Sequence, residues 1–243
     1  MRHSAYGLPS GSVRVLTEMM AMPPAQTVPG SAPSPAVSKV KKGLRVAGIG
    51  VILASILFLF GPVGPVIGGI ILVIGSTLVF SGRSAWPAHQ GSVAAGFGII
   101  IVGYIIGVLA AVLNYSAFSG PLTSVTTLDV AAFRTALILT LVAGVITEIG
   151  VVVLPWRLAS GRSKGLIAGG AGLSIVGLLV DTVLAWGVLA AITGGSVTTD
   201  QRNALLTAFL IGLSFVIVGG ILEGVGYFRA RGRLPAAAPA TAM

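Results

Sequence analysis

The chain has 243 residues, of which 55% are hydrophobic and only 9% are charged, and its formal net charge is +9. Soluble globular domains carry about 25% charged residues, so this composition excludes an ordinary soluble domain. The absence of cysteine and the presence of only two histidines exclude a disulfide framework and leave little for histidine catalysis or a zinc site. We therefore predict no catalytic residue, no metal ligand and no cofactor, and the sequence favours a protein that is not an enzyme.

The two ends of the chain differ in composition from its middle. Residues 1–38 are rich in Pro, Ala and Ser and lack the continuous apolar core of a signal peptide, which predicts a disordered cytoplasmic tail. Residues 234–243 are similarly low in complexity and predict a disordered C-terminal tail. The segment between them, 39–233, is predicted to be a transmembrane domain.

Within this domain six apolar runs follow one another, each close to the length of about 20 residues that a membrane-spanning helix needs. The predicted spans are 44–61, 64–80, 92–114, 130–155, 166–192 and 204–228. The first two are short and are separated by Gly and Pro at 61–65, which predicts a tight turn between them. A re-entrant pair of helices is the alternative interpretation of these two runs.

A short glycine-rich phrase opens three of the apolar runs, at 42–50, 90–98 and 164–172. A basic Gly-Arg phrase closes each unit, at 81–83, 160–162 and 231–233. Internal repetition of this kind predicts repeated structural units, whatever the chemistry of individual residues. The predicted fold is all-α: a polytopic membrane protein of six transmembrane helices, arranged as three parallel repeated helical hairpins.

The Lys and Arg residues predict the orientation of these helices. Of the 15, only Arg134 and Arg202 fall on one side of the predicted membrane. The positive-inside rule then predicts a multi-pass protein of the cell membrane with both termini in the cytoplasm. The basic residues flank apolar runs and form no aromatic-interleaved face, which argues against nucleic acid and favours contact with anionic lipids at the cytoplasmic face.

Three of the six acidic residues, Glu148, Asp181 and Glu223, fall inside predicted spans. A charge at the bilayer centre costs about 2.5–3.5 kcal/mol even on the lenient insertion scale, so such residues usually face the bundle interior. By the helical rise, Asp181 lies about 3 Å from the midpoint of its span, and Glu148 and Glu223 about 8 and 10 Å toward the basic side. A glycine stands four residues before each acid, on the same helix face. All three are predicted to point into the bundle.

These acids are predicted to handle protons or ions, because no Lys or Arg lies in the centre of a span and Arg134 is the nearest counter-charge. Glu148 and Glu223 have similar depth, so the sequence allows them to face each other and share a proton. The structural alternative is a protonated acid acting as an interhelical hydrogen bond, worth about 0.6 kcal/mol. For Glu223 this alternative is favoured, since Tyr227 is predicted to sit at the membrane interface within its reach.

The small-xxx-small pattern occurs three times and predicts close helix packing. The glycines involved are Gly103, Gly107, Gly165, Gly169, Gly220 and Gly224. The leading functional hypothesis is a transporter or channel for a proton, cation or small solute. The alternative is a non-catalytic scaffold or accessory subunit, whose glycine faces contact a second copy or another membrane protein.

The predicted orientation can be tested by cysteine labelling, because the chain has no native cysteine. Thr123→Cys, in the loop predicted to lie outside, should react with a membrane-impermeant maleimide applied to intact cells. Ser160→Cys, predicted to lie inside, should react only after permeabilisation. Labelling of the two positions in the opposite order would contradict the orientation.

Overall fold

The computed structural model describes residues 34–60, 63–117, 129–194 and 199–234, and these contain helices and no strand. The helices are α1 Pro35–Leu57, α2 Val63–Ser81, α3 Gln90–Ala117, α4 Val130–Trp156, α5 Gly161–Gly194 and α6 Thr199–Gly232. The predicted all-α class is confirmed. Most of the two predicted tails, at 1–33 and 235–243, and part of the first predicted turn lie outside the described residues.

Five of these helices, α2 to α6, contain segments long and apolar enough to cross a membrane. The prediction of a multi-pass membrane protein is therefore confirmed. Helix α1 does not meet the same criterion, because Lys41, Lys42 and Arg45 occupy its first half. Its apolar part, 46–57, is shorter than the span of about 20 residues that a bilayer requires. The sixth crossing stays a prediction.

Helix α1 begins earlier than the sequence predicts. The Ser34 hydroxyl accepts a hydrogen bond from the Val37 N–H at 3.4 Å and so caps the helix. Pro35 occupies the first turn, where proline is tolerated because an N–H group there has no acceptor within the helix. Residues 35–38, predicted as the end of the disordered tail, therefore belong to the helix.

Consecutive helices pack as antiparallel pairs: α1 with α2, α3 with α4, and α5 with α6. In each pair, two glycines seven residues apart on the first helix lie directly against the backbone of the second helix, so that an added Cβ would overlap it. The contacts are Gly43–Val79 and Gly50–Leu72, then Gly96–Leu154 and Gly103–Thr147, then Gly170–Glu223 and Gly177–Val216. We call each of these three lines of contact a glycine seam.

The second helix of each pair also contributes a glycine to its seam. At an equivalent position in each pair, a glycine of the second helix lies against the backbone of the first: Gly75 on Ala47, Gly150 on Ile100, and Gly219 on Ser174. Small residues let the backbones of two helices come close together. In lipid the hydrophobic effect does not drive helices to associate, so this close packing stabilises the pair instead. Residues seven apart lie on nearly the same face of a helix, so the small residues of each seam share one side.

The three hairpins also contact one another in order. The second helix of each hairpin touches the first helix of the next, and α6 returns to α1. These contacts are Gly69 against Tyr104, Gly144 against Leu178, and Gly220 against Ser55. The described helices therefore surround a common centre.

The predicted packing glycines have different outcomes. Gly103 lies in the α3–α4 seam, and Gly107 lies 3.7 Å from the Ala143 methyl group, measured from an added Cβ. Gly220 and Gly224 contact α1. Among the described residues, however, no atom lies within 4 Å of a Cβ added at the remaining two, Gly165 and Gly169. Their predicted packing role needs correction, because a neighbouring face of α5 forms the seam.

One end of the bundle is tightly packed and the other is not. The apolar core lies at the end where Lys and Arg concentrate, which we call the basic end, and it contains fully buried side chains from several helices. They include Leu44, Val79, Ile100, Leu154, Ile167 and Tyr227. The opposite half of the bundle contains a cavity.

Substitution of a seam glycine should destabilise the fold, whereas substitution on the open face of the same helix should not. A Cβ at Gly177 would lie 2.5 Å from the Gly212 carbonyl oxygen and 2.9 Å from the Val216 nitrogen. We expect Gly177→Leu to lower the free energy of unfolding by about 1–3 kcal/mol, the usual cost of overpacking. Gly169→Leu is the matched control and should be neutral. Thermal unfolding in detergent measures both, and equal losses would contradict the seam.

Candidate functional site

The cavity has a volume of about 470 Å³ and is bounded by all six helices. Its walls are mostly apolar. Apolar and aromatic lining residues, from the end of α1 through α6, include Phe58, Val66, Tyr104, Leu137, Leu178 and Phe209. Volumes of about 300–1,000 Å³ and apolar walls with a few polar groups are typical of small-molecule sites.

Asp181 lines this cavity from α5. Both of its carboxyl oxygens are shielded from solvent, and neither accepts a hydrogen bond from the described residues. A Cβ at Gly212 would meet Asp181 Oδ1, so the carboxyl lies against the backbone of α6. The missing side chain at Gly212 leaves the space that the carboxyl occupies.

Glu148 lines the same cavity from α4. Its Oε2 atom is buried and has no hydrogen-bond partner among the described residues. Its carboxyl lies within hydrogen-bonding range of the carboxyl of Glu223. The neighbouring Thr147 lies in the α3–α4 seam against Gly103, and one residue turns a helix by about 100°, which carries Glu148 out of that seam.

Glu223 lies in the α5–α6 seam and is fully buried, with 0% of its surface exposed. Its Oε1 accepts a hydrogen bond of 3.0 Å from the Ser174 hydroxyl. Gly170 and Gly219 flank this contact and leave room for the two side chains. Glu223 therefore lies inside the bundle, between α5 and α6.

Tyr227 is also inside the bundle rather than at the membrane interface, with 0% of its surface exposed. Its hydroxyl donates a hydrogen bond of 2.7 Å to the carbonyl oxygen of Val151. In an unbroken helix that carbonyl would accept from the N–H of residue 155, but residue 155 is a proline inside α4. Tyr227 of α6 thus supplies the donor that Pro155 cannot, beside Glu148 and Glu223.

The predicted counter-charge lies elsewhere. The Arg134 guanidinium lies 5.7 Å from the centre of the Trp186 ring. Within the described ranges no Lys or Arg is bonded to the free oxygens of Asp181, Glu148 or Glu223. Among the residues that the structure describes, the three acids therefore have no basic partner.

The structure brings the three predicted acids to one region but not into one cluster. Glu148 and Glu223 are in contact, whereas Asp181 is on the cavity wall shared with Glu148. Sequence reasoning missed Ser174 as the partner of Glu223. Ser174 stands seven residues before Asp181 on α5, a spacing that places both on one helix face, but no pattern in the sequence pairs it with Glu223.

The chain matches no known protein family, and no curated protein or solved structure is significantly similar to it. Its function must be inferred from the chemistry of this site.

The bond between Tyr227 and Val151 can be tested with a double-mutant cycle. Tyr227→Phe removes the donor and should lower the free energy of unfolding by about 0.5–1.5 kcal/mol, the net value of a typical hydrogen bond. Pro155→Ala restores a backbone N–H to the Val151 carbonyl. In the Pro155→Ala background, Tyr227→Phe should lower the free energy of unfolding by much less. Thermal unfolding in detergent gives the four values, and an equal cost in both backgrounds would contradict the compensation.

Proposed function

We propose that the protein is a transporter of the cell membrane that moves a proton, cation or small solute through the central cavity. Asp181 and Glu148 would form its ionisable centre, with Glu223 in a secondary role. The observation that supports this most is the carboxyl of Asp181, which lines a cavity of about 470 Å³ with both oxygens unpaired. A buried acid with a purely structural role normally has a hydrogen-bond donor, since unpaired buried polar atoms destabilise a fold.

The contact between Glu148 and Glu223 supports proton handling. Two carboxyl groups in contact within an apolar interior cannot both be ionised at low cost, so together they hold a proton. The hydroxyl of Ser174 keeps Glu223 in place at 3.0 Å. A cation entering the cavity near Glu148 would replace that proton, which couples the movement of the two.

The proposed orientation places the basic end in the cytoplasm, following the positive-inside rule. The cavity would then lie in the outer half of the bundle, and the apolar core would close the cytoplasmic half. Transport therefore requires a second state in which the basic end opens. At that end, Lys and Arg would hold anionic lipids, each contributing about 1 kcal/mol.

We further propose that the three hairpins are parallel repeats around an axis along the membrane normal, an arrangement that would let them move against one another. The common register of the three glycine seams supports this relationship. So does the correspondence between the Gly69–Tyr104 and Gly144–Leu178 contacts, which occupy equivalent places between successive hairpins.

Proton and sodium flux in proteoliposomes tests the proposed function. Flux in the wild type should exceed that of empty liposomes, and Asp181→Asn should reduce it by about tenfold or more, because the substitution removes the desolvated charge. Asp200→Asn is the matched control: Asp200 is exposed in the first turn of α6 and contributes nothing to the cavity lining. Wild-type flux no faster than in empty liposomes would contradict transport of these ions, and equal flux in both variants would remove Asp181 from the mechanism.

A scaffold or accessory subunit is the second candidate, favoured by the open glycine face of α5. Gly165, Gly169 and Gly172 have no described atom within 4 Å of an added Cβ, so a partner helix has room to approach there. In that case Gly169→Leu should abolish recovery of a partner or of a second copy in co-purification, while the fold and any flux stay unchanged.

A further inference from the structure

We propose that the solute bound in the cavity is an organic cation, with one ammonium group on an apolar aromatic or aliphatic body. This inference rests on the proposed function, and it specifies the class of solute. It follows from the size of the cavity, the chemistry of its walls and the sign of its charges.

The size of the cavity argues against a bare inorganic ion. A volume of about 470 Å³ is far larger than the share of one water molecule, about 30 Å³. A small ion would therefore need a large hydration shell to fill it. The mostly apolar walls offer such water few hydrogen bonds, so an apolar body fills this space at lower cost.

Among the described residues, the lining contains two acids and no group of three or more His, Asp or Glu side chains that could hold a metal ion. Calcium takes about six to eight oxygen ligands. Here the hydroxyls of Ser55, Thr140 and Thr182 donate to carbonyls of their own helices, which holds them against the wall. Within the described part of the lining, the free carboxyl oxygens belong to Asp181 and Glu148. One ammonium group needs no more than these.

The charges in the lining select for a cation. Among the described residues, the lining contains the two acids and no Lys, Arg or His. Its aromatic residues, Phe58, Tyr104 and Phe209, suit both an apolar body and a quaternary ammonium, which is attracted to aromatic faces. An anion of the same shape would meet carboxyl groups without a compensating base.

Calorimetric titration of the purified protein in detergent tests this proposal with three probes. Benzyltrimethylammonium has the proposed charge and body, tetramethylammonium keeps only the charge, and benzylsulfonate keeps the aromatic body with the opposite charge. We expect benzyltrimethylammonium to bind more tightly than each of the other two by about tenfold or more.

Variants separate the two parts of the recognition. Asp181→Asn should weaken the binding of benzyltrimethylammonium by about tenfold or more because it removes the charge. Ala111→Phe should weaken it without a change of charge, because Ala111 lines the cavity and the larger ring occupies it. Asp200→Asn should leave binding unchanged. If Asp181→Asn fails to fold, judged by thermal unfolding, Ala111→Phe and the three probes still decide the outcome.

Several results would overturn the proposal. They are no binding of benzyltrimethylammonium, equally tight binding of tetramethylammonium or benzylsulfonate, or an unchanged affinity for benzyltrimethylammonium in both Asp181→Asn and Ala111→Phe. Failure here is distinct from failure of the proposed function. Proton or sodium flux that depends on Asp181, without binding of the aromatic cation, would keep transport and reject the organic cation. Selective binding of benzyltrimethylammonium, without its uptake into proteoliposomes that contain the protein, would keep the ligand class and reject transport.

Discussion

The close approach of helix backbones along three glycine seams is the constraint on which the rest of the structure depends. In lipid, helices gain little by burying apolar side chains against one another, so contact between their backbones has to hold them together. Gly43, Gly96 and Gly170 each lie against the backbone of the second helix of their hairpin. This contact fixes the rotation of every helix about its own axis. It thereby decides which side chains enter the bundle and which face the lipid.

The acids occupy particular places in this common scaffold. Glu223 faces the first glycine of its seam, where the other two hairpins have Leu154 and Val79. Asp181 stands four residues beyond the second seam glycine, where the middle hairpin has Gly107. Apolar or small residues satisfy the packing at these positions, so the carboxyl groups add a cost of burial that packing does not require. That burial cost distinguishes these positions of the third hairpin from their counterparts in the other two.

The two halves of the bundle are packed differently. At the basic end, Tyr227 lies in the apolar core and offers its hydroxyl to Val151, whose helical donor is missing at Pro155. Lipid has no hydrogen-bond donor for a free backbone carbonyl, so the bond from Tyr227 satisfies a group that would otherwise be unpaired. The same bond joins α4 to α6 close to the two glutamates. In the other half the helices separate and leave the cavity. The apolar core therefore closes the basic end, and the cavity lies in the other half of the described bundle.

The sequence alone determined the membrane class, five of the helices that can span a membrane, and the presence of three acids inside them, because hydropathy and helical rise depend only on the order of residues. It also allowed Glu148 and Glu223 to meet, since their depths are similar. Tertiary structure decided what periodicity leaves open: that the seam of α5 runs through Gly170 rather than Gly169, and that Ser174 is the residue that donates to Glu223. A helical pattern defines the faces of a helix, but only contact with its neighbours selects which face turns inward.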